Sequence, residues 1–167
     1  MTQENESEIS APEPTVMPDA SPGFRLAERV CYHVLELKGD DVVVLDLRGL
    51  SDVCDFFVVA SGHADVQVKA IAKAVRNGLV AVDQSCSGSE GEGEGRWILL
   101  DFVDVVVHVF KPEVRDYYQL ERLWSDAGSL VIDLEYLRSA GFADRHPDLV
   151  AADSVAPELS GPPATTE

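Results

Sequence analysis

The sequence predicts an α/β fold, a mixed sheet of four or five strands with helices packed on it. Residues 97–102 and 105–110 form two β segments rich in β-branched and aromatic residues, as a pleated, half-buried surface prefers. Residues 41–47 carry a four-residue apolar run, the pattern of a strand buried on both faces, and residues 55–61 read as the next strand. Two further stretches repeat apolar residues at helical spacing, which gives each one face to lay on a sheet.

In chain order, residues 1–20 hold five acids, three prolines and no Lys or Arg. Without apolar periodicity they read as a disordered arm, residues 1–21. Ser21-Pro22 reads as an N-cap followed by proline at the first helical position. The helix should run to about Leu37, with Leu26, Val30, His33, Val34 and Leu37 as its apolar stripe. His33 on that stripe is expected to be a satisfied, semi-buried histidine, and Lys38-Gly39 to close the helix. Strands follow at 41–47 and 55–61, joined through a short turn at 51–54. A second helix is predicted over 65–82, with Val68, Ile71, Ala72, Val75 and Leu79 facing inward. Lys69, Lys73 and Arg76 lie along a neighbouring face and are read as solvated, although a patch contacting an anion would use the same spacing. Residues 83–95 have the composition of a flexible loop.

The strand pair at 97–110 is the centre of the prediction. In an antiparallel pair closed by Val103-Asp104, Phe102 faces Val105, Leu100 faces Val107 and Ile98 faces Val109. Alternation puts these six apolar side chains on one face, the core. The opposite face carries Trp97, Leu99, Asp101, Val106, His108 and Phe110. Either a helix covers it, or it is a docking surface, because Trp and Phe beside a few polar groups suit protein interfaces. Residues 111–124 then read as one helix with Pro112 first, and Tyr117, Leu120 and Trp124 able to pack on the sheet.

Together, residues 97–110, 115–118 and 120–124 resemble the ribosomal silencing factors, the Iojap-related family. Residues 42–50, 55–62 and 67–70 are similar to earlier blocks of that family in the same order, and Glu92-Gly93 to its acidic-Gly step. The resemblance spans residues 24–126, within a domain expected at 22–126. Val103 stands where the family usually turns through Gly, and His63-Ala64 replaces a small hydroxyl-rich pair. The resemblance implies a nucleotidyltransferase-like topology and a translational repressor. Such a protein binds the large ribosomal subunit through ribosomal protein fourteen, blocks joining of the small subunit and lowers translation when nutrients are short. By matching positions, the partner surface would comprise Trp97, Leu99, Leu100 and Asp101, then Val106, His108 and Phe110, then Tyr117 and Tyr118.

Beyond residue 126 the resemblance fades, and 127–167 is expected to be a C-terminal extension. One short helix would use Leu130, Leu134, Leu137 and Ala140, followed by a disordered tail. A net charge of −17 argues against a protein held mainly by phosphate contacts, so little direct nucleic-acid binding is expected. No apolar stretch reaches the roughly 18–20 residues of a membrane span, and no secretory signal is evident, so a cytoplasmic protein is expected. Oligomeric state, a homodimer included, is left open.

An enzyme of nucleotidyltransferase type would need carboxylates converging on Mg²⁺ and a backbone loop for phosphate. Asp46, Asp101 and Asp104, with Ser61-Gly62 at a strand end, are the candidates. Two metal-binding carboxylates on one strand need i, i+2 spacing to share a face. Asp101 and Asp104 are three apart across a turn, so they read as turn residues. Cys31, Cys54 and Cys86 and the four scattered histidines lack the spacing of a metal clip. The expectation is a non-catalytic binding module without cofactor or metal.

Overall fold

A computed structural model describes residues 15, 16 and 18–154. The elements are α1 (Pro22–Glu36), β1 (Asp40–Asp46), β2 (Phe56–Ser61), α2 (Asp65–Val80), β3 (Gly88–Glu90), β4 (Trp97–Asp101) and β5 (Val105–Phe110). They continue as α3 (Pro112–Tyr118), α4 (Leu120–Leu123), β6 (Gly128–Val131), α5 (Leu134–Leu137), α6 (Ala140–Arg145) and α7 (Pro147–Ser154). Among the described residues, six strands form one sheet in the order β3-β4-β5-β2-β1-β6. Of these strands only β2 and β5 pair in parallel; the other neighbours are antiparallel.

The alternation of side chains sorts the sheet into two layers. Val42, Val44, Phe56, Val58, Ala60, Ile98, Leu100, Val105, Val107 and Val109 point to one face, against α1 and α2. Leu45, Val59, Val106 and Phe110 point to the other, where Val114, Leu120 and Trp124 meet them. The predicted register is present, with Ile98 opposite Val109 and Leu100 opposite Val107. All five residues of the α2 stripe are buried.

α1 begins as predicted, with the Ser21 hydroxyl accepting the Phe24 N–H at 3.3 Å. Its end is a Schellman closure: Lys38 N–H donates to the Leu35 carbonyl and Gly39 N–H to the Val34 carbonyl, both at 3.0 Å. Lys38, not Gly39, takes the left-handed conformation, at φ 60°. Gly39 is required for a different reason, since a Cβ there would sit 2.3 Å from Val34 Cγ1. His33 is only half satisfied: Nδ1 lies 3.0 Å from Glu36, while Nε2 is buried without a hydrogen-bond partner.

Four expectations need correction. The sheet gains two edge strands: β3 lies in the segment read as a flexible loop, and β6 in the segment read as a C-terminal helix. Residues 15–21 are not part of a free arm: Thr15 bridges Ser129, Val16 is buried, and Asp19 lies 2.9 Å from Arg48. Residues 1–14 and 17 of that arm, and the tail from 155 onward, lie outside the described residues. The helix at 111–124 is broken at Gln119, which turns left-handed at φ 47° between α3 and α4.

The fourth correction concerns α1, which is buried on more than its apolar stripe. Glu28 is fully buried and bound by three groups from the C-terminal segment. Tyr136 donates to it at 2.9 Å, Arg145 reaches it at 2.6 Å and His146 Nε2 at 2.7 Å. Burial opposes the charge of Glu28, but the bonds from His146, Arg145 and Tyr136 outweigh it and hold the carboxyl below its ordinary range. This buried knot, with Phe142 and Leu149 against Tyr32, docks α6 and α7 onto α1.

Candidate partner-binding site

The site is built on the outer face of β4 and β5 and on the turn of chain that follows. β4 and β5 place Trp97 opposite Phe110 and Leu99 opposite His108. Trp97 stacks on Phe110 with centroids 4.8 Å apart and meets Tyr118 at 4.8 Å. Tyr117 and Tyr118 touch edge to face at 5.1 Å. α3 presents both tyrosines to solvent: Tyr117 is 81% exposed and Tyr118 49%. Exposed aromatic rings on a regular scaffold carry large contact area with few rotatable bonds, the property that suits interface anchors.

Beside Trp97 and Tyr118 opens a cleft of 460 Å³, lined also by Gly91, Gly93, Glu94, Arg96 and Val114. Gly91 makes it: φ is +82°, and a Cβ would lie 1.9 Å from the Trp97 carbonyl oxygen. Sequence reasoning missed Gly91, Arg96 and Val114 as neighbours of the site, although the Gly-rich composition before Trp97 marked the loop.

The predicted site residues fall into two groups. Trp97, Leu99 and Asp101 are half-buried and Tyr117 and Tyr118 exposed, so a partner could reach them. Leu100, Val106, His108 and Phe110 are buried and closed to direct contact. Leu100 points into the α1–α2 core; the other three lie under α3, α4 and Trp124, which cover much of this face as a helical layer. Tyr117, expected to pack on the sheet with Leu120 and Trp124, instead faces solvent; Leu120 and Trp124 do pack there, and Val114 takes the place of Tyr117.

His108 acts on the site from below. It accepts the Trp97 indole N–H at Nδ1, 3.2 Å away, and its ring sits edge-on to Phe57. Burial pushes its pKa down to about 4, so the ring is neutral at physiological pH and can accept that bond. Arg115, its side chain largely covered, is the second organiser. It donates to the Ser61 hydroxyl at 2.8 Å, to the Asp41 carbonyl at 2.9 Å and to Glu121 at 3.0 Å through Nε. One side chain thereby ties α3, α4, β1 and β2 across the break at Gln119.

Two of the three candidate catalytic carboxylates are separately engaged, and at Asp104 the bonded group is the backbone carbonyl. Asp46 is held in a fork by Arg48, at 3.0 and 2.7 Å. Asp101 accepts the Val103 N–H at 2.8 Å, as a turn residue does. Asp104 has its carbonyl bound by Asp55 and Phe56 N–H groups. Among the described residues no three His, Cys, Asp or Glu side chains come together at metal-binding distance. The cysteines are free, and burial, with nearby Asp101 and Asp55, pushes the Cys54 thiol up to about 11. No helix among the described residues is long and apolar enough to cross a membrane.

Three comparisons with known proteins bear on this geometry. A family profile described as "Ribosomal silencing factor during starvation" matches residues 19–155. A ribosomal silencing factor of Bacillus subtilis is 42% identical over 90 residues, 54% of this chain and 76% of that protein. The chloroplastic protein Iojap of Zea mays is 30% identical over 129 residues, 76% of this chain and 56% of that protein. A crystal structure of a Chromobacterium violaceum protein superposes with a TM-score of 0.59 at 39% identity. It covers 59% of this chain and 82% of that one.

Proposed function

Because the chain belongs to the ribosomal silencing factor family, we propose that it represses translation by binding the large ribosomal subunit and sterically blocking the small one. The contact would run through ribosomal protein fourteen at the subunit-facing surface, as sequence resemblance to the family implies. The observation that carries this reading is the exposed Tyr117–Tyr118 pair set against half-buried Trp97 beside an open cleft. An aromatic cluster on rigid elements needs no chemistry to occlude a partner. A standard interface takes roughly 800 Å² from each partner, within reach of a domain this size. Binding is preferred to nucleotidyl transfer because Asp46 and Asp101 are spent on Arg48 and on the Val103 turn.

The test is comigration with isolated large subunits in a sucrose gradient. Removing a central aromatic anchor typically costs about 2 kcal/mol or more. Trp97→Glu and Tyr118→Glu should each lose comigration, while joint replacement of Lys69, Lys73 and Arg76 by Gln should weaken it only modestly. Tyr118→Glu is the decisive variant, since Tyr118 is half exposed whereas Trp97 also roofs Phe110 and its loss could disturb folding. Circular dichroism and thermal melting check each variant. A folded Tyr118→Glu protein that comigrates normally, with the triple Gln variant failing, would move the interface to α2.

A further inference from the structure

We propose that His108 is the positioning residue of the aromatic surface: by accepting the Trp97 indole N–H, it fixes which edge of that ring a partner meets. This role rests on the functional reading above and lies within the same site. Trp97 has two aromatic neighbours, Phe110 at 4.8 Å and 26° and Tyr118 at 4.8 Å and 47°. Such contacts depend on ring separation and tilt, and are nearly indifferent to which edge of the indole points which way. The torsion that turns the ring about its own bond is broad and roughly two-fold. Stacking alone therefore leaves two orientations open.

The bond to His108 removes one of them. Trp97 Nε1 lies 3.2 Å from His108 Nδ1, and an indole N–H only donates. Nδ1 is then the acceptor, and the proton of the neutral ring sits on Nε2. β5 holds this acceptor still: His108 is 3% exposed, in register opposite Leu99, with Phe57 edge-on at 4.6 Å. With its N–H turned down toward the sheet, half-buried Trp97 offers a carbon edge outward. The partner it fits has an apolar socket, with no acceptor needed for the indole.

The independent observation is what this arrangement costs. His108 Nε2 is buried and has no hydrogen-bond partner, and an unmatched buried donor destabilises a fold. Val106 and Phe110, its neighbours on this face of β5, are buried and apolar, and a leucine at 108 would fill the place without that loss. His33 and His146 also keep one unmatched nitrogen, but their other nitrogen meets a carboxylate, Glu36 and Glu28. At His108 the matched nitrogen serves Trp97. A local destabilisation accepted beneath an exposed site, for one bond to that site, marks a residue kept for function over stability.

The test compares His108→Leu, which removes both nitrogens, with His108→Asn, whose side-chain carbonyl stands in for Nδ1. Affinity of the full chain for isolated large subunits, measured by sedimentation, should fall about tenfold in His108→Leu, the scale of ordering one freed side chain on binding. His108→Asn should recover most of that loss. The melting temperature of His108→Leu at neutral pH should stay near that of the wild type. In ¹⁵N-tryptophan NMR spectra of the free protein, the Trp97 indole N–H should shift and exchange faster with solvent in His108→Leu, and Trp124 should move far less; a Trp124→Phe variant assigns the two signals. Undiminished affinity in His108→Leu, an unmoved Trp97 signal, His108→Asn no better than His108→Leu, or a melting temperature that collapses with binding would each overturn the role. A wild-type protein that fails to bind large subunits overturns the functional reading and this role together, whereas a wild type that binds beside an unimpaired His108→Leu overturns this role alone.

Discussion

Val103 is a β-branched residue at φ 72°, at the tip of the β4–β5 turn, where Asp104 N–H donates to the Phe102 carbonyl at 2.9 Å. That is a tight three-residue turn of the strained hand. A left-handed backbone costs such a residue roughly 1–2 kcal/mol, and the side chain, 62% exposed, has little packing to offset it. Val103→Gly should therefore raise unfolding stability by about 1 kcal/mol, less than the full strain because glycine loses more entropy on folding. Urea denaturation with an unchanged m-value would check this; a lower midpoint would refute it. His108 gives a pH signature. Its folded pKa of about 4 lies below its ordinary 6.5, so between those values the unfolded chain binds more protons than the folded one. Its contribution is complete above pH 6.5 and is lost as pH falls toward 4, amounting to up to about 3 kcal/mol. Protonated Nδ1 would also face the Trp97 N–H, donor against donor. His108→Phe should flatten the stability profile across that window, measured by melting at successive pH values.

At the scale of elements, the break at Gln119 lets α3 and α4 serve different neighbours. Arg115 on α3 holds Glu121 on α4 while reaching Ser61 and the Asp41 carbonyl behind them. Lysine has the charge but not the fork, so it cannot make all these bonds at once. Arg115→Lys is expected to cost about 1–2 kcal/mol, from buried hydrogen-bonding groups left unmatched. Amide exchange should quicken first in α4, whereas β5 should keep its protection. Uniform acceleration across the sheet would show that the clamp does not act locally. The same element logic applies to the C-terminal segment: β6 extends the sheet beside β1, and the Glu28 knot fastens α6 to α1. Both attachments are long-range, made to residues roughly a hundred positions upstream.

For the whole molecule, net charge sets an expectation about binding. On the proposed function, docking of a chain at −17 through aromatic rings should release few counterions. The affinity for large subunits should then fall only shallowly with salt, with a log–log slope nearer one than the steep values of phosphate-held proteins; gradient or fluorescence titrations over a range of KCl would measure it. What the chain's own sequence determined is whatever depends on local periodicity: the α2 stripe from Val68 to Leu79, the Ile98–Val109 and Leu100–Val107 register, the Ser21 cap, and the pairing of Trp97 with Phe110 on one face. These follow because a helix repeats every 3.6 residues and a strand every two, so near neighbours suffice to assign faces. Only the tertiary structure decided the edge strands β3 and β6, the break at Gln119, the exposure of Tyr117 and the burial of Glu28. Gly88–Glu90 has almost no intrinsic strand preference and exists because β4 offers it free backbone groups. Glu28 lies off the apolar stripe expected for its helix, and its burial depends on Tyr136, Arg145 and His146, which arrive from more than a hundred residues away to match it. Buried charge is tolerated only where such partners converge, and convergence is a property of the folded chain.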